Sequence, residues 1–221
     1  MTRIFIPTDS LDDWRRLLAD PEQQWQDGHA AKRLAQVWID ADGFPPAVSR
    51  VLRLSGHEIF RNIDILLAIP EHRVPLPGGG SASSNDLFVL AKSRGQLTAF
   101  MIAGKAGETF GPTVSEWLQD AAEGKKTRWA DMCSTIGVKE DQAADIHYRL
   151  LHQTAAAVHE AERFSAVNAV VLVHSFSETY EGSDDFVRFA RLYGLVPEPN
   201  RLHFAARVNN VRLFLGWIAD V

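Results

Sequence analysis

Asp86 and Lys105 are the two residues whose types and placement point to chemistry. Asp86 lies where an apolar run, Asn85 to Ala91, leaves a Gly-rich loop, and Lys105 closes the next apolar run, Leu97 to Lys105. Arg94-Gly95 between the runs is a turn signal, so the two read as a β-hairpin. A hairpin turning near residues 94–96 pairs the start of its first strand with the end of its second, which predicts Asp86 and Lys105 across the ladder from each other. Met101, Ala103 and Lys105 then share one face of the second strand, by the period of two. A carboxylate beside a lysine can hold a divalent cation through oxygen while the lysine orients or activates a water. The plainer alternative is a cross-strand ion pair, worth ~0.2–1 kcal/mol.

Other clusters carry weaker signals. Gly78-Gly79-Gly80 would let bare amides approach an anion. No Gly-x-x-x-x-Gly-Lys-Ser/Thr is present, however, and the loop precedes a strand instead of a helix. A flexible or lid-like loop is expected, and no nucleotide cofactor. His174-Ser175 ends a strand-like run, where neighbours point to opposite faces and no nucleophile elbow surrounds the serine. Of the eight histidines, His152 and His159 lie two turns apart on one helix, ~10 Å along its axis, too far to share a metal. No zinc site is expected. Lys125, Lys126 and Arg128 form a local basic cluster suited to phosphate contacts.

These residues are positioned by elements whose periods change along the chain. Residues 1–56 form a helical N-terminal segment: a short strand from Arg3 to Pro7, a helix capped by Ser10 with Asp13 behind it, and a break at Asp20-Pro21. Two more helices follow, one over His29–Ala41 with Leu34, Val37, Trp38 and Ala41 on a face, the other carrying Val48, Val51 and Leu52 up to Gly56. Residues 57–176 form the core. Ile63 to Ile69 reads as a strand buried on both faces, and the hairpin follows it. Thr113 with Glu116 has capping-box spacing, and a helix then holds Trp129, Met132, Cys133 and Ile136. A long helix over Ala143–Phe164 is expected to pack Ile146, Leu150, Leu151 and Val158 on the sheet. Its polar side (Arg149, His152, Gln153, Glu160) either faces solvent or crosses the sheet end. Asn168 to Val173 is a Val-rich central strand of the same sheet. Residues 177–221 add a helix over 184–193 and a hairpin around Asn209-Asn210. The order predicts a single α/β (α+β) domain, a three-layer sandwich on a mixed sheet.

Composition narrows the partners. The chain has 221 residues, 46% of them apolar, with 23 Lys plus Arg against 28 Asp plus Glu, a net charge of −5. That excludes a strongly basic nucleic-acid coat protein and leaves room for weak, salt-sensitive contact through a local patch. Cys133 is the only cysteine, so no internal disulfide forms, and a cytoplasmic protein is expected. No apolar run approaches the ~18 residues of a membrane span, and the opening residues are too short for a secretory signal.

The series of a strand, an Asp-led strand, a hairpin to a strand ending in Gly104-Lys105, a long helix and a Val-rich strand resembles the restriction-endonuclease-like, PD-(D/E)XK core. The likeness runs from about Ile63 to Val173. It implies Mg²⁺ or Mn²⁺ and phosphodiester cleavage, with Asp86 as the first carboxylate and Lys105 as the lysine. The middle acid of that motif falls on Ala103. One acid with the Gly104 carbonyl would then hold the metal, with Glu71, Glu108 or Glu116 as substitute acids and Arg149 and His152 as auxiliaries. Strand parity puts Glu108 on the wrong face unless Gly107 makes a bulge. The chain also resembles a family of uncharacterised bacterial proteins through Pro75 to Gly79, Gly104-Lys105, Phe110 to Thr113, Leu150 to His152 and Leu172 to Phe176. Two expectations follow: a weakened metal-dependent phosphodiesterase acting on nucleic acid, or a catalytically degenerate binding module on the same fold.

Overall fold

The computed structural model describes Thr8 and residues 10–221; the strand expected at Arg3–Pro7 lies outside them. Six strands form one mixed sheet in the order β1-β2-β3-β4-β6-β5. They are β1 (Asp64–Val74), β2 (Ser83–Ser93), β3 (Gln96–Lys105), β4 (Asn168–Ser175), β5 (Arg201–Val208) and β6 (Val211–Ala219). Strands β1, β2 and β3 are successively antiparallel, β3, β4 and β6 run parallel, and β5 closes the far edge antiparallel to β6. The C-terminal hairpin is therefore no appendage, because β6 sits inside the sheet against β4.

Helices cover both faces. On one side lie α1 (Leu11–Arg15), α2 (Pro21–Gln24), α3 (Ala30–Asp40) and α4 (Pro46–Leu54). Trp14, Leu34, Trp38, Val51 and Leu52 of this layer pack on Val89, Phe100, Ile102, Val170 and Phe214 of the sheet. On the other side lie α5 (Val114–Leu118), α6 (Glu123–Ile136), α7 (Tyr148–Arg163) and α8 (Ser183–Arg191), over Phe88, Met101, Val171 and Leu215. Each fully buried Leu or Phe contributes about 1.5–3 kcal/mol. The three layers follow from α3, α4 and α7 each having one apolar face, and from β4 being buried along its whole length.

Local signals hold at the caps. Ser10 and Asp13 make a capping box, as do Thr113 and Glu116. Asp20 caps α2, and Pro21 opens it. The hairpin turns at Arg94-Gly95, both at positive φ, the geometry of a two-residue turn.

Three expectations need correction. The strand read as buried on both faces is β1, which pairs only with β2 and leaves Leu66 44% exposed; an apolar run does not reveal whether a second neighbour exists. The long helix starts at Tyr148, five residues late. Residues 146–148 are instead bonded to 112–114 (Val114 N–H to Ile146 O, Tyr148 N–H to Pro112 O), with a bridge between Thr113 and His147. Ile146 is still buried and packs with Leu150, Leu151 and Val158 against the sheet. Finally, the Gly-rich loop is docked and not lid-like. Arg128 donates to the carbonyls of Pro77 and Gly79, and Gly78 lies so close to α6 that a Cβ there would stand 2.1 Å from Gly124 O.

Candidate functional site

The carboxyl ends of the three parallel strands meet at one rim: Lys105 pairs with Ser175, and Ser175 with Ala219. In open α/β sheets such a rim is where ligands bind. A cavity of about 250 Å³ opens there, lined by Glu71, Asp86, Gly104, Lys105, Glu108 and Arg149, with His29 and Ala30 of the α3 start on its wall.

The register corrects the expected pairing. The β2–β3 ladder ends at Leu87↔Ile102, so one step on Asp86 faces Ala103, and Lys105 lies two residues further along. On the other side Pro70↔Leu87 and His72↔Asn85 set Glu71 opposite Asp86. Glu71, Asp86 and Ala103 therefore form one row across three strands.

Asp86, Lys105 and Glu108 each have defined partners in the cleft. Asp86 Oδ1 accepts from Arg149 Nη2 at 2.5 Å and Oδ2 from the Gly104 N–H at 2.9 Å. Lys105 is 2% exposed; its Nζ donates to Thr109 O at 2.7 Å and lies 4.2 Å from the centre of the Phe110 ring. Burial, then the Arg149 charge, lower its pKa to about 8. Burial and then the Asp86 charge raise Glu71 to about 8, so Glu71 is mostly neutral at pH 7. Burial alone would raise Glu108, but N–H groups of Ala30 and Ala106, at 2.8 Å each, hold it below the usual carboxylate range. Gly107 has φ 138°, and the chain turns there so that Glu108 reaches the cleft against strand parity. Gly104 serves close approach: a Cβ would stand 3.3 Å from that of Ala30, so its missing side chain lets α3 reach the cleft wall.

Several expected site residues lie elsewhere. Glu116 is spent on the Thr113 cap. His152 Nδ1 meets Ser83 Oγ at 2.6 Å, and burial with Arg149 and Arg128 lowers its pKa to about 3. So weak a base does not activate the Ser83 hydroxyl. The expected phosphate cluster lies on α6 and does not line this cavity: Lys125 donates to Trp117 O, Lys126 pairs with Glu123, and Arg128 clamps the Gly loop. Of the α7 polar side, Gln153 and Glu160 are buried and Arg149 crosses the sheet end.

Sequence reading missed a second cavity, about 500 Å³, with His29 on the wall of both. Lys32, Arg33 and Phe176 line it, with the Arg33 guanidinium 5.8 Å from the Phe176 ring centre. No sequence signal links α3 to Phe176, because only the fold brings residues so far apart together.

The resemblance implies Mg²⁺ or Mn²⁺ at Asp86 and Gly104, and the donor set does not fit it. Each Asp86 oxygen already accepts a hydrogen bond, one of them from the Arg149 guanidinium, and Ala103 supplies no ligand. Among the described residues no group of three His, Cys, Asp or Glu is placed to hold a metal ion.

The Glu71 shift has a sign that denaturation can check. An acid whose folded pKa lies above its unfolded value binds its proton more tightly when folded. Stability is therefore lost as pH rises from about 4.5 to about 8. Lys105 acts in the opposite sense and higher up: its burial cost is relieved as pH climbs from about 8 towards 10.5. Wild type is expected to lose about 1–3 kcal/mol between pH 5 and 8, at about 1.4 kcal/mol per pKa unit, and Glu71→Gln to lose much less. Equal losses in urea titrations of the two proteins would show that Glu71 is not the titrating group.

Residues 7–221 match the model of one family, described as a domain of unknown function (DUF6946). No curated protein and no solved structure matches the chain. Among the described residues no helix is long and apolar enough to cross a membrane.

Proposed function

The chain belongs to the DUF6946 family, and from the geometry of its cleft we propose that it is a restriction-endonuclease-like module that binds nucleic acid without hydrolysing it. The observation that carries this reading is the commitment of Asp86 to Arg149 and Gly104. The carboxylate that would lead the chemistry is already neutralised by a side chain. The order β1-β2-β3-α7-β4, with Asp86 leading β2 and Lys105 ending β3, supports the nuclease-like core.

The ligand surface in this reading is the pair of cavities that share His29. Arg149 and Lys105 supply positive charge at one end, Lys32 and Arg33 at the other. Phe176 offers a stacking face of the kind single-stranded nucleic acid uses. Lys32 is held by Asp27 at 2.5 Å and the chain is acidic overall, so affinity is modest and falls steeply with salt.

A hydrolytic reading keeps one specific support. Lys105 and Glu71, both with pKa values of about 8, share one cleft, and perturbed groups gather at active sites.

Fluorescence anisotropy with labelled single-stranded and duplex oligonucleotides separates the two. Binding is expected at low salt, equal in EDTA and in Mg²⁺, and at least about fivefold weaker in Lys32→Ala/Arg33→Ala, the loss of two phosphate contacts. Intact oligonucleotide after long incubation with Mg²⁺ or Mn²⁺ is expected as well. Metal-dependent cleavage would establish the hydrolytic reading, and no binding at low salt would end the nucleic-acid assignment.

A further inference from the structure

The misfit between the cleft and a divalent cation has a specific cause. Glu71 and Asp86 face each other on neighbouring strands and line one cavity, the usual start of a two-carboxylate cation site. What stands against them is Arg149, which reaches in from α7 to Asp86 Oδ1. Its Nε is buried without a hydrogen-bond partner, so the guanidinium is held there by charge more than by a complete set of bonds. We propose that Arg149 is a built-in replacement for the metal: its guanidinium fills the cation position of a Glu71/Asp86 site, and removing it uncovers a site for Mn²⁺ or Mg²⁺.

The physics runs in both directions. A guanidinium beside a carboxylate supplies the positive charge that a cation would supply, yet it is covalently fixed and cannot leave. With it in place, each Asp86 oxygen already accepts a hydrogen bond, one of them from the guanidinium, so an incoming cation meets a neutralised carboxylate and a like charge. Without it, two carboxyl groups are left facing one another with Lys105 as the remaining nearby cation. Their repulsion makes binding of a divalent cation favourable, because the cation reverses the sign of that interaction. Arg149 thus decides whether this rim is a metal centre, and the inference holds whatever the cleft binds.

The test is Mn²⁺ binding, followed by calorimetry and by loss of the free-ion electron-spin signal, with folding checked by circular dichroism. Wild type is expected to show no Mn²⁺ binding that depends on Asp86. Arg149→Met, which keeps side-chain length without charge, is expected to bind Mn²⁺ at least about tenfold more tightly than wild type, as removal of a unit charge at ion-pair distance requires. Arg149→Lys, which keeps the charge, should gain nothing. Arg149→Met/Asp86→Asn and Arg149→Met/Glu71→Gln should lose the gain, and added guanidinium ion below denaturing concentration should displace the metal from Arg149→Met. A folded Arg149→Met with unchanged Mn²⁺ affinity overturns the proposal, as does a wild type whose Mn²⁺ binding disappears in Asp86→Asn. If Arg149→Met does not fold, Arg149→Gln carries the same expectations. If neither folds, the wild-type titration decides: Asp86-dependent binding refutes the replacement and its absence supports it.

Discussion

Replacing Ala103 with Glu is expected to destabilise the metal-free protein by roughly 3 kcal/mol, the scale of an uncompensated buried charge. Ala103 has no solvent-exposed surface and stands opposite Asp86, one step past the last ladder pair, with Val173 on its other side. A carboxylate there adds a negative charge that Arg149, already paired with Asp86, balances only in part. The thermal midpoint should fall by about 6–12 °C in a chain of this length. Mn²⁺ is expected to restore part of that loss and to leave the wild-type midpoint where it was, because three carboxyl groups in a row exceed what one guanidinium neutralises. Adding Asp86→Ala to Ala103→Glu should abolish the metal response. If Mn²⁺ moves neither midpoint, Asp86 and Lys105 are scaffold residues and the row has no latent cation site.

His174→Ala is expected to cost about 3 kcal/mol through a different mechanism, the loss of a fully enclosed side chain together with its hydrogen bonds. His174 has no exposed surface. Its Nδ1 accepts from Trp38 Nε1 at 3.3 Å, so Nε2 carries the proton and donates to Asp220 Oδ2 at 3.0 Å. The imidazole thus ties α3 to the end of β6 across the parallel rim. Its removal leaves the buried Trp38 N–H unpaired and a cavity beneath Phe176, whose ring centre lies 4.5 Å from that of His174. Asp220→Asn keeps an acceptor and should cost under about 1 kcal/mol. Urea titration of the two variants at pH 7 gives the comparison, and a His174→Ala protein as stable as Asp220→Asn would remove the tie. The ring lines neither cavity, consistent with a structural role for His174 and not with service to Ser175.

The elements were legible wherever local chemistry decides them. Ser10, Thr113 and Arg94-Gly95 act on their own neighbours, so their caps and turn appear where their types and spacing put them. The hairpin follows, and with it Asp86 and Lys105 at the same sheet end. Register was less accessible, because the offset between strands depends on how a turn of a given length closes. Asp86 consequently faces Ala103 and not Lys105. Glu71 as the opposite acid needed knowledge that β1 pairs with β2, which apolar runs do not encode.

Charge state and partnership were not legible, for a reason the cleft makes plain. Arg149 lies 63 positions from Asp86, and Ala30, whose N–H holds Glu108, lies 78 positions from it; helical periodicity constrains which residues share a face, not which strand end that face crosses. Lys125, Lys126 and Arg128 likewise read as a free basic cluster until α6 packs beside the Gly loop and uses Arg128 to hold it. The sequence alone determined the α/β layering, the hairpin and the pair of residues at its open end, because these follow from side-chain period, caps and turns acting over a few residues. The tertiary structure decided that the Arg149 guanidinium meets Asp86, because burial and long-range charge exist only once α7 has crossed the sheet.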